Sequence, residues 1–251
     1  MKLFDAHFHI VDKRFPVVAN DGYLPEEFTV TDYLNRMSGW SRCGGAVVSG
    51  SFQAFDQSYL VDTLKKLGPS FVGVTQLPNS VSDNELHSLN KSGVRAVRFN
   101  LKRGGSEELR HLDSMARRVH EFAGWHVELY VDSKELDDIY KTLVALPAIS
   151  IDHLGLTKDG FSTLVKLAEK GIRVKASGFG RVDFDVITAL YELYSANPQS
   201  VMFGTDLPST RSPRSFSTRD IQLIFDSFEP EQVNKILYKN ALEFYLQTVE
   251  R

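Results

Sequence analysis

The feature that most constrains this chain is an alternation. Eight short β-rich runs, "LFDAHFHI", "GGAVVSG", "FVGVTQL", "VRAVRFNL", "WHVELYV", "AISIDHLG", "IRVKAS" and "SVMFGTD", begin 23 to 41 residues apart along 251 residues. Helical stretches lie between them. "AFDQSYLVDTLKKLG" ends in lysines and a glycine, a helix stop. "SDNELHSLNKSG" opens on Ser82 with Glu85 three residues later, the spacing of a capping box. "GFSTLVKLAEKG" and "FDVITALYELYSANP" read the same way, and "EPEQVNKILYKNALEFYLQ" places Pro230 at a helix start. Strands alternating with helices imply parallel strands joined by crossover helices. Eight such units in about 250 residues match an α/β fold, the (β/α)8 TIM barrel. A doubly wound open sheet has the same alternation, but no glycine-rich phosphate loop follows the first run. No linker, charge block or low-complexity tract divides the chain, so residues 1–251 read as a single barrel domain.

The bulk properties fit. A hydrophobic fraction of 42% can fill one sizeable core. A net charge of -3 with both signs interspersed argues against a nucleic-acid or membrane partner. The one cysteine, Cys43, has no internal partner for a disulfide and suits a reducing compartment. The start "MKLFDAHFHIVDK" lacks the features of a signal peptide, and no apolar run reaches the roughly 18–20 residues of a bilayer span. The expectation is a cytoplasmic protein.

Alternation within strands assigns side chains to the two faces of the sheet. In "HVELYV" the apolar set Val127, Leu129, Val131 should pack on helices, which turns His126, Glu128 and Tyr130 inward. The same parity predicts Phe4, Ala6 and Phe8 outward and Asp5, His7 and His9 inward in the first run. It also turns inward Arg98, Asn100, His153, Lys175, Ser177 and Asp206, and puts Asp152 on the side opposite His153. Buried charges are costly unless paired or used. Lys175 and Glu128, on alternate strands, read as a buried pair, and Asp152 as structural. His87, His111 and His120 fall in helical stretches and read as surface residues. His9, Arg98, Tyr130, His153, Ser177 and Asp206 end their strands, at the rim where barrels build active sites.

"FDAHFHI", "GVRAVRFNL", "GWHVELYVD", "IDHLG", "VKASGFGRV" and "FGTDLP", in that order, resemble the amidohydrolase superfamily. Within it they resemble the metal-dependent-hydrolase-like lactonase branch of 2-pyrone-4,6-dicarboxylate hydrolase and the sugar lactonases. The resemblance spans all eight strands and implies a carboxylic-ester (lactone) hydrolase. Asp206 would activate water, with His7, His9 and His153 polarising the carbonyl or holding a metal that does so. Many amidohydrolases add a carboxylated lysine or glutamate on the fourth strand and a histidine on the fifth. Here those strands end in "RFNL" and Tyr130, a loss that resembles the metal-free pyrone dicarboxylate hydrolase pattern. The expectation is therefore that no cofactor is required, with one divalent ion such as Zn or Mn on His7, His9 and Asp206 as the open alternative.

"VRFNLKRGG", "SGFGRVD" and "PSTRSPR" place Arg98, Lys102, Arg103, Arg181, Arg211 and Arg214 on the same side of a slightly acidic protein. Arginine forks bind carboxylates in a bidentate manner, so the predicted partner is a small anionic lactone. The resemblance implies substrate contacts from Ser49, Tyr23, Arg98, Arg103, Tyr130 and Arg181. "GTDLPST" departs from the Trp-Pro-His common in relatives, so the resemblance implies the reaction class and not the exact lactone. Three other readings stand beside this one. A metal-dependent decarboxylase of the same superfamily needs a bound ion. A TatD-type nuclease needs a glutamate on the fourth strand, and "VRAVRFN" has none. A decayed barrel kept for binding would have no reason to retain the three histidines and Asp206.

Overall fold

The computed structural model describes residues 2–246. In chain order the elements are β1 (Lys2–Phe8), α1 (Val30–Arg36), β2 (Ser41–Val48), α2 (Ser58–Leu67), β3 (Phe71–Thr75), α3 (Asp83–Lys91), β4 (Val94–Asn100) and α4 (Leu112–Ala123). There follow β5 (His126–Tyr130), α5 (Leu136–Ala145), β6 (Ile149–Ile151), α6 (Phe161–Glu169), β7 (Arg173–Ala176), α7 (Val186–Ala196), β8 (Val201–Phe203) and α8 (Thr218–Ser227). A C-terminal run, α9 (Pro230–Asn234), a π-helical turn and α10 (Asn240–Leu246), completes it. The strands pair in parallel in the order β1 to β8. Backbone bonds from Asp206 N–H to His7 O and from His9 N–H to Leu207 O, both 2.7 Å, close the cylinder between its last and first strands. This is the (β/α)8 barrel read from the sequence. Ser82 and Glu85 form the predicted capping box, with reciprocal bonds of 2.8 and 3.2 Å. Among the described residues no helix is long and apolar enough to cross a membrane.

Two apolar clusters hold the barrel. The outer one packs strand residues such as Val97, Phe99, Leu129 and Ile151 against helix residues such as Met115 and Leu164. The inner one fills the lower half of the cylinder with Phe4, Ala6, Val48, Val74 and Met202 and is plugged from below by Tyr245 of α10. The Phe4 and Tyr245 rings stack with centroids 5.5 Å apart. Above this floor Lys175 meets Glu128, the buried pair expected from the sequence. Glu128 also accepts from Tyr245 Oη and lies 3.1 Å from His126 Nε2.

The parity reading needs correction at two places. Asp5 pairs with Gly45 while Phe8 pairs with Val47, so three steps along β1 face two along β2. This bulge flips the alternation. Phe4 and Ala6 face the interior, and Asp5 turns outward to accept from Tyr33 Oη of α1 at 3.1 Å and from Thr205 N–H at 2.8 Å. Past the bulge His7 and His9 point inward and Phe8 stacks on Tyr33. At β6, Ser150 is registered with Glu128, so its neighbour two residues on, Asp152, also faces in. His153 joins it because the backbone there turns left-handed, with φ of 52° at His153 and 53° at Leu154.

Candidate active site

Four side chains from three distant parts of the chain converge at the upper rim. His7 Nε2 and His9 Nε2 are 3.3 Å apart. Asp206 Oδ1 lies 3.6 Å from His9 Nε2, 3.9 Å from His153 Nε2 and 4.0 Å from His7 Nε2. All four side chains are buried. The local backbone is shaped for this meeting. Asp206 and His153 both sit at positive φ, a conformation that costs about 1–3 kcal/mol outside glycine and clusters at functional sites. Gly204 lies flat against His7, where a Cβ would stand 2.7 Å from the His7 backbone nitrogen. Gly178, at φ +59°, leaves room for His153 and Arg181, each of which a Cβ would meet at 2.8 Å.

The hydrogen bonds fix much of the protonation. His9 Nδ1 is 2.7 Å from Val48 O, and since a carbonyl only accepts, Nδ1 carries the proton and Nε2 offers a lone pair. His7 turns Nδ1 to Asp152 Oδ1 at 3.3 Å, and His153 Nδ1 meets Ser177 Oγ at 2.9 Å. Asp206 Oδ2 accepts from Arg181 Nε at 2.7 Å, while Asp206 Oδ1 is buried without a hydrogen-bond partner. Burial alone would raise the Asp206 carboxyl, but the charge of Arg181 outweighs it and holds the group well below the usual range. Burial lowers His7 to about 3 against the pull of Asp152, and lowers His153 well below its usual value. Both imidazoles are neutral at physiological pH.

Neutral imidazole nitrogens and an orphaned carboxylate oxygen also suit a divalent ion. His7, His9 and Asp206 each offer one ligand atom, all within 4.8 Å of one another, and would hold it. Such an ion would supply Lewis-acid polarisation of a carbonyl and acidify a bound water. Beside them β4 presents Arg98 and Asn100, and β5 ends in Tyr130.

Above the cluster lies a pocket of about 380 Å3, including space open to solvent, lined by Arg98, Arg103, Arg181 and Arg211 with Tyr23 and Tyr130. Arg98 and Arg181 are already paired, with Asp152 and Asp206. Arg98 also donates to Ser49 O at 2.7 Å, and its guanidinium stands 5.3 Å from the Tyr130 ring centroid. Arg103 and Arg211 make no ion pair among the described residues. Arg211 stacks over Tyr23 at 4.5 Å. Other predicted contributors point elsewhere: Ser49 Oγ bonds Tyr59 Oη at 2.7 Å behind the pocket wall, Lys102 pairs with Asp132 at 2.9 Å, and Arg214 with Asp220 at 2.8 Å.

A family model described as Amidohydrolase matches residues 4–246. The chain belongs to the amidohydrolase family. A 2-pyrone-4,6-dicarboxylate hydrolase of Comamonas testosteroni is 27% identical over 241 residues, covering 81% of this chain and 76% of that protein. Two solved structures share the fold. A putative 2-pyrone-4,6-dicarboxylic acid hydrolase from Pseudomonas putida superposes with TM-score 0.81 at 24% identity, covering 97% of each chain. A probable 2-pyrone-4,6-dicarboxylic acid hydrolase from Acinetobacter baumannii, with citric acid bound, gives TM-score 0.82 at 21% identity, covering 98% of this chain and 99% of that one.

Two residues of this amidohydrolase's site escaped the sequence reading. Asn20 ties the rim loops together: its Nδ2 donates to Arg103 O, and its Oδ1 accepts from Ser51 Oγ and from Arg211 Nη1, each at 3.0 Å. In "VVANDGYL" it carries only a turn signal. Asp152 was placed on the wrong face, because strand alternation cannot foresee the left-handed turn at His153.

Proposed function

We propose that this amidohydrolase opens the ester bond of an anionic lactone, of the 2-pyrone-4,6-dicarboxylate or sugar-acid type. The observation that carries the reading is the placement of two unneutralised guanidiniums, Arg103 and Arg211, over a carboxylate with one free oxygen, Asp206 Oδ1. The name of the Comamonas testosteroni relative, a hydrolase of a carboxylated lactone, supports it.

The arginines hold the substrate carboxylate in bidentate fashion, and Tyr23 and Tyr130 flank the ring. Water enters between Asp206 Oδ1 and the lactone carbonyl. Asp206 takes its proton as the water oxygen bonds to the carbonyl carbon. His153, with Nδ1 accepting from Ser177 Oγ and its proton on Nε2, donates to the oxyanion that forms, and His7 and His9 border the same cavity. The ring C–O bond then breaks and the proton passes from Asp206 to the departing oxygen, giving an open-chain hydroxy acid. No metal is required in this reading, since Arg181 supplies positive charge directly to Asp206 Oδ2.

A panel of carboxylated, sugar-acid and uncharged lactones, run with and without added Zn or Mn, tests the proposal. Carboxylated members should be hydrolysed and their uncharged counterparts should not. Turnover of neutral lactones alone, or of none, would remove it. The fit of His7, His9 and Asp206 to an ion favours one second reading, a metal-dependent decarboxylase. It requires carbon dioxide release that stops on chelation.

A further inference from the structure

Arg103 and Arg211, the pocket guanidiniums without an ion pair among the described residues, come from the loops after β4 and β8. Those strands stand on opposite sides of an eight-strand barrel. One residue of a third loop, Asn20 after β1, bonds to both. Its partners assign its side-chain amide. Arg103 O can only accept, so Nδ2 faces it at 3.0 Å. Arg211 can only donate, so Oδ1 accepts from its Nη1 at 3.0 Å, and from Ser51 Oγ at 3.0 Å as well. Arg211 Nη2 donates to the Asn20 backbone oxygen.

These bonds meet on a stiff support. Asn20 and Tyr23 exchange backbone bonds of 3.0 Å around Asp21 and Gly22, whose φ values of 48° and 72° make the two-residue turn of a tight hairpin. The same turn lays the Tyr23 ring against the Arg211 guanidinium, 4.5 Å from its centroid. One four-residue segment thus grips Arg211 by two hydrogen bonds and a ring face, and the remaining N–H groups of that guanidinium are left for a ligand. Arg103 is held through its backbone, which fixes where its side chain departs. Its N–H donates to Asn100 Oδ1 at 2.9 Å and its oxygen accepts from Asn20, while its guanidinium makes no hydrogen bond among the described residues.

We infer that Asn20 is a positioning residue for anion recognition: it ties Arg103 and Arg211 together across the pocket mouth, so that a carboxylated ligand meets two guanidiniums already in place. Side chains ordered beforehand spare a ligand the cost of ordering them when it binds. The bonds of Asn20 reach none of His7, His9, His153 and Asp206, so its effect falls on binding and not on the chemical step. Aspartate cannot take its place, since it has no donor for Arg103 O and its charge would neutralise Arg211. That the ligand is a lactone rests on the proposed function; the presentation of the guanidiniums does not.

Calorimetric titration of citrate, a carboxylate with no ester to open, into wild type and Asn20→Ala tests the presentation without any lactone. Kd should rise about 5- to 50-fold, the cost of ordering long side chains on binding. Asn20→Asp, which keeps an acceptor for Arg211 but neutralises it, should weaken citrate further. Kinetics separate positioning from a merely structural role. On a carboxylated lactone that the wild type opens, Asn20→Ala should raise KM by a similar factor while kcat changes by less than about threefold. Added to Arg103→Met with Arg211→Met, it should change kcat/KM by less than about threefold, because nothing is left for it to present. Citrate held equally by wild type and both Asn20 variants, or not held by the wild type, would overturn the inference. So would an Asn20→Ala effect of the same size with and without the two arginines. A protein that binds citrate in the expected order but opens no lactone would remove the lactone reading alone and leave this inference standing.

Discussion

Arg103 shows how much a single rim residue can be asked to do. It lines the pocket and has no carboxylate partner among the described residues, so replacing it leaves no buried charge behind. Arg103→Met should raise KM for a carboxylated lactone by about 10- to 100-fold, the worth of a charge-assisted pair, with stability changed by less than about 0.5 kcal/mol. Steady-state kinetics and a melting curve check both. Arg98→Met is a different experiment, because it strands the fully buried Asp152 and should destabilise by about 3–5 kcal/mol. At this scale the sequence showed residue types but not which of the rim arginines are paired. His7, His9, His153 and Asp206 were legible because their ionisable groups stood out at strand ends. That Arg98 and Arg181 are neutralised by Asp152 and Asp206, while Arg103 and Arg211 are not, depends on loop paths that no periodicity encodes.

At the scale of elements, the site depends on short departures from regular strand. β8 lasts three residues, and Gly204 then lets His7 approach to within a distance no side chain would allow. Gly204→Ala should push β1 away, costing about 1–3 kcal/mol of stability as overpacking does. In a chain of this size that lowers Tm by about 2–4 °C per kcal/mol, and turnover should fall with it. An unchanged Tm would show that His7 is less tightly held than the geometry requires. Strand and helix placement was legible from the repeating pattern of apolar runs, caps and glycines. The faces of β1 and β6 were misread because one inserted residue, or one left-handed residue, inverts everything after it.

At the scale of the whole molecule, the barrel is divided into a dry apolar floor and a charged upper half, with Lys175 and Glu128 at the boundary. Glu128→Leu leaves Lys175 with Asp152 alone and should cost about 3–5 kcal/mol, whereas Glu128→Leu with Lys175→Met should recover most of the loss. Denaturant melts of the three proteins decide it; a double variant no better than the single would mean the pair is not the boundary element it resembles. The sequence foretold this pair from strand parity, and the fold as a whole from eight repeats. It did not foretell that α10 would close the base with Tyr245, since a terminal amphipathic helix carries no mark of the surface it covers. Elemental analysis belongs at this scale too. Purified protein that retains full lactone turnover after chelation, with well under about 0.1 equivalent of Zn or Mn, is the outcome expected of a reaction run by the side chains alone, whereas loss of turnover restored by one equivalent would assign the ion to His7, His9 and Asp206.

The most direct measurement is kcat/KM of Asp206→Asn on a carboxylated lactone that the wild type opens. The substitution keeps the side chain's volume and removes its capacity to take a proton from water, together with the charge that pairs with Arg181. The account predicts a fall of at least about a thousandfold in a protein that still melts cooperatively, at a Tm lowered by loss of the Arg181 pair. Hydrolysis within about threefold of wild type would mean that water is activated elsewhere and that the convergence of three imidazoles on this carboxylate has another purpose.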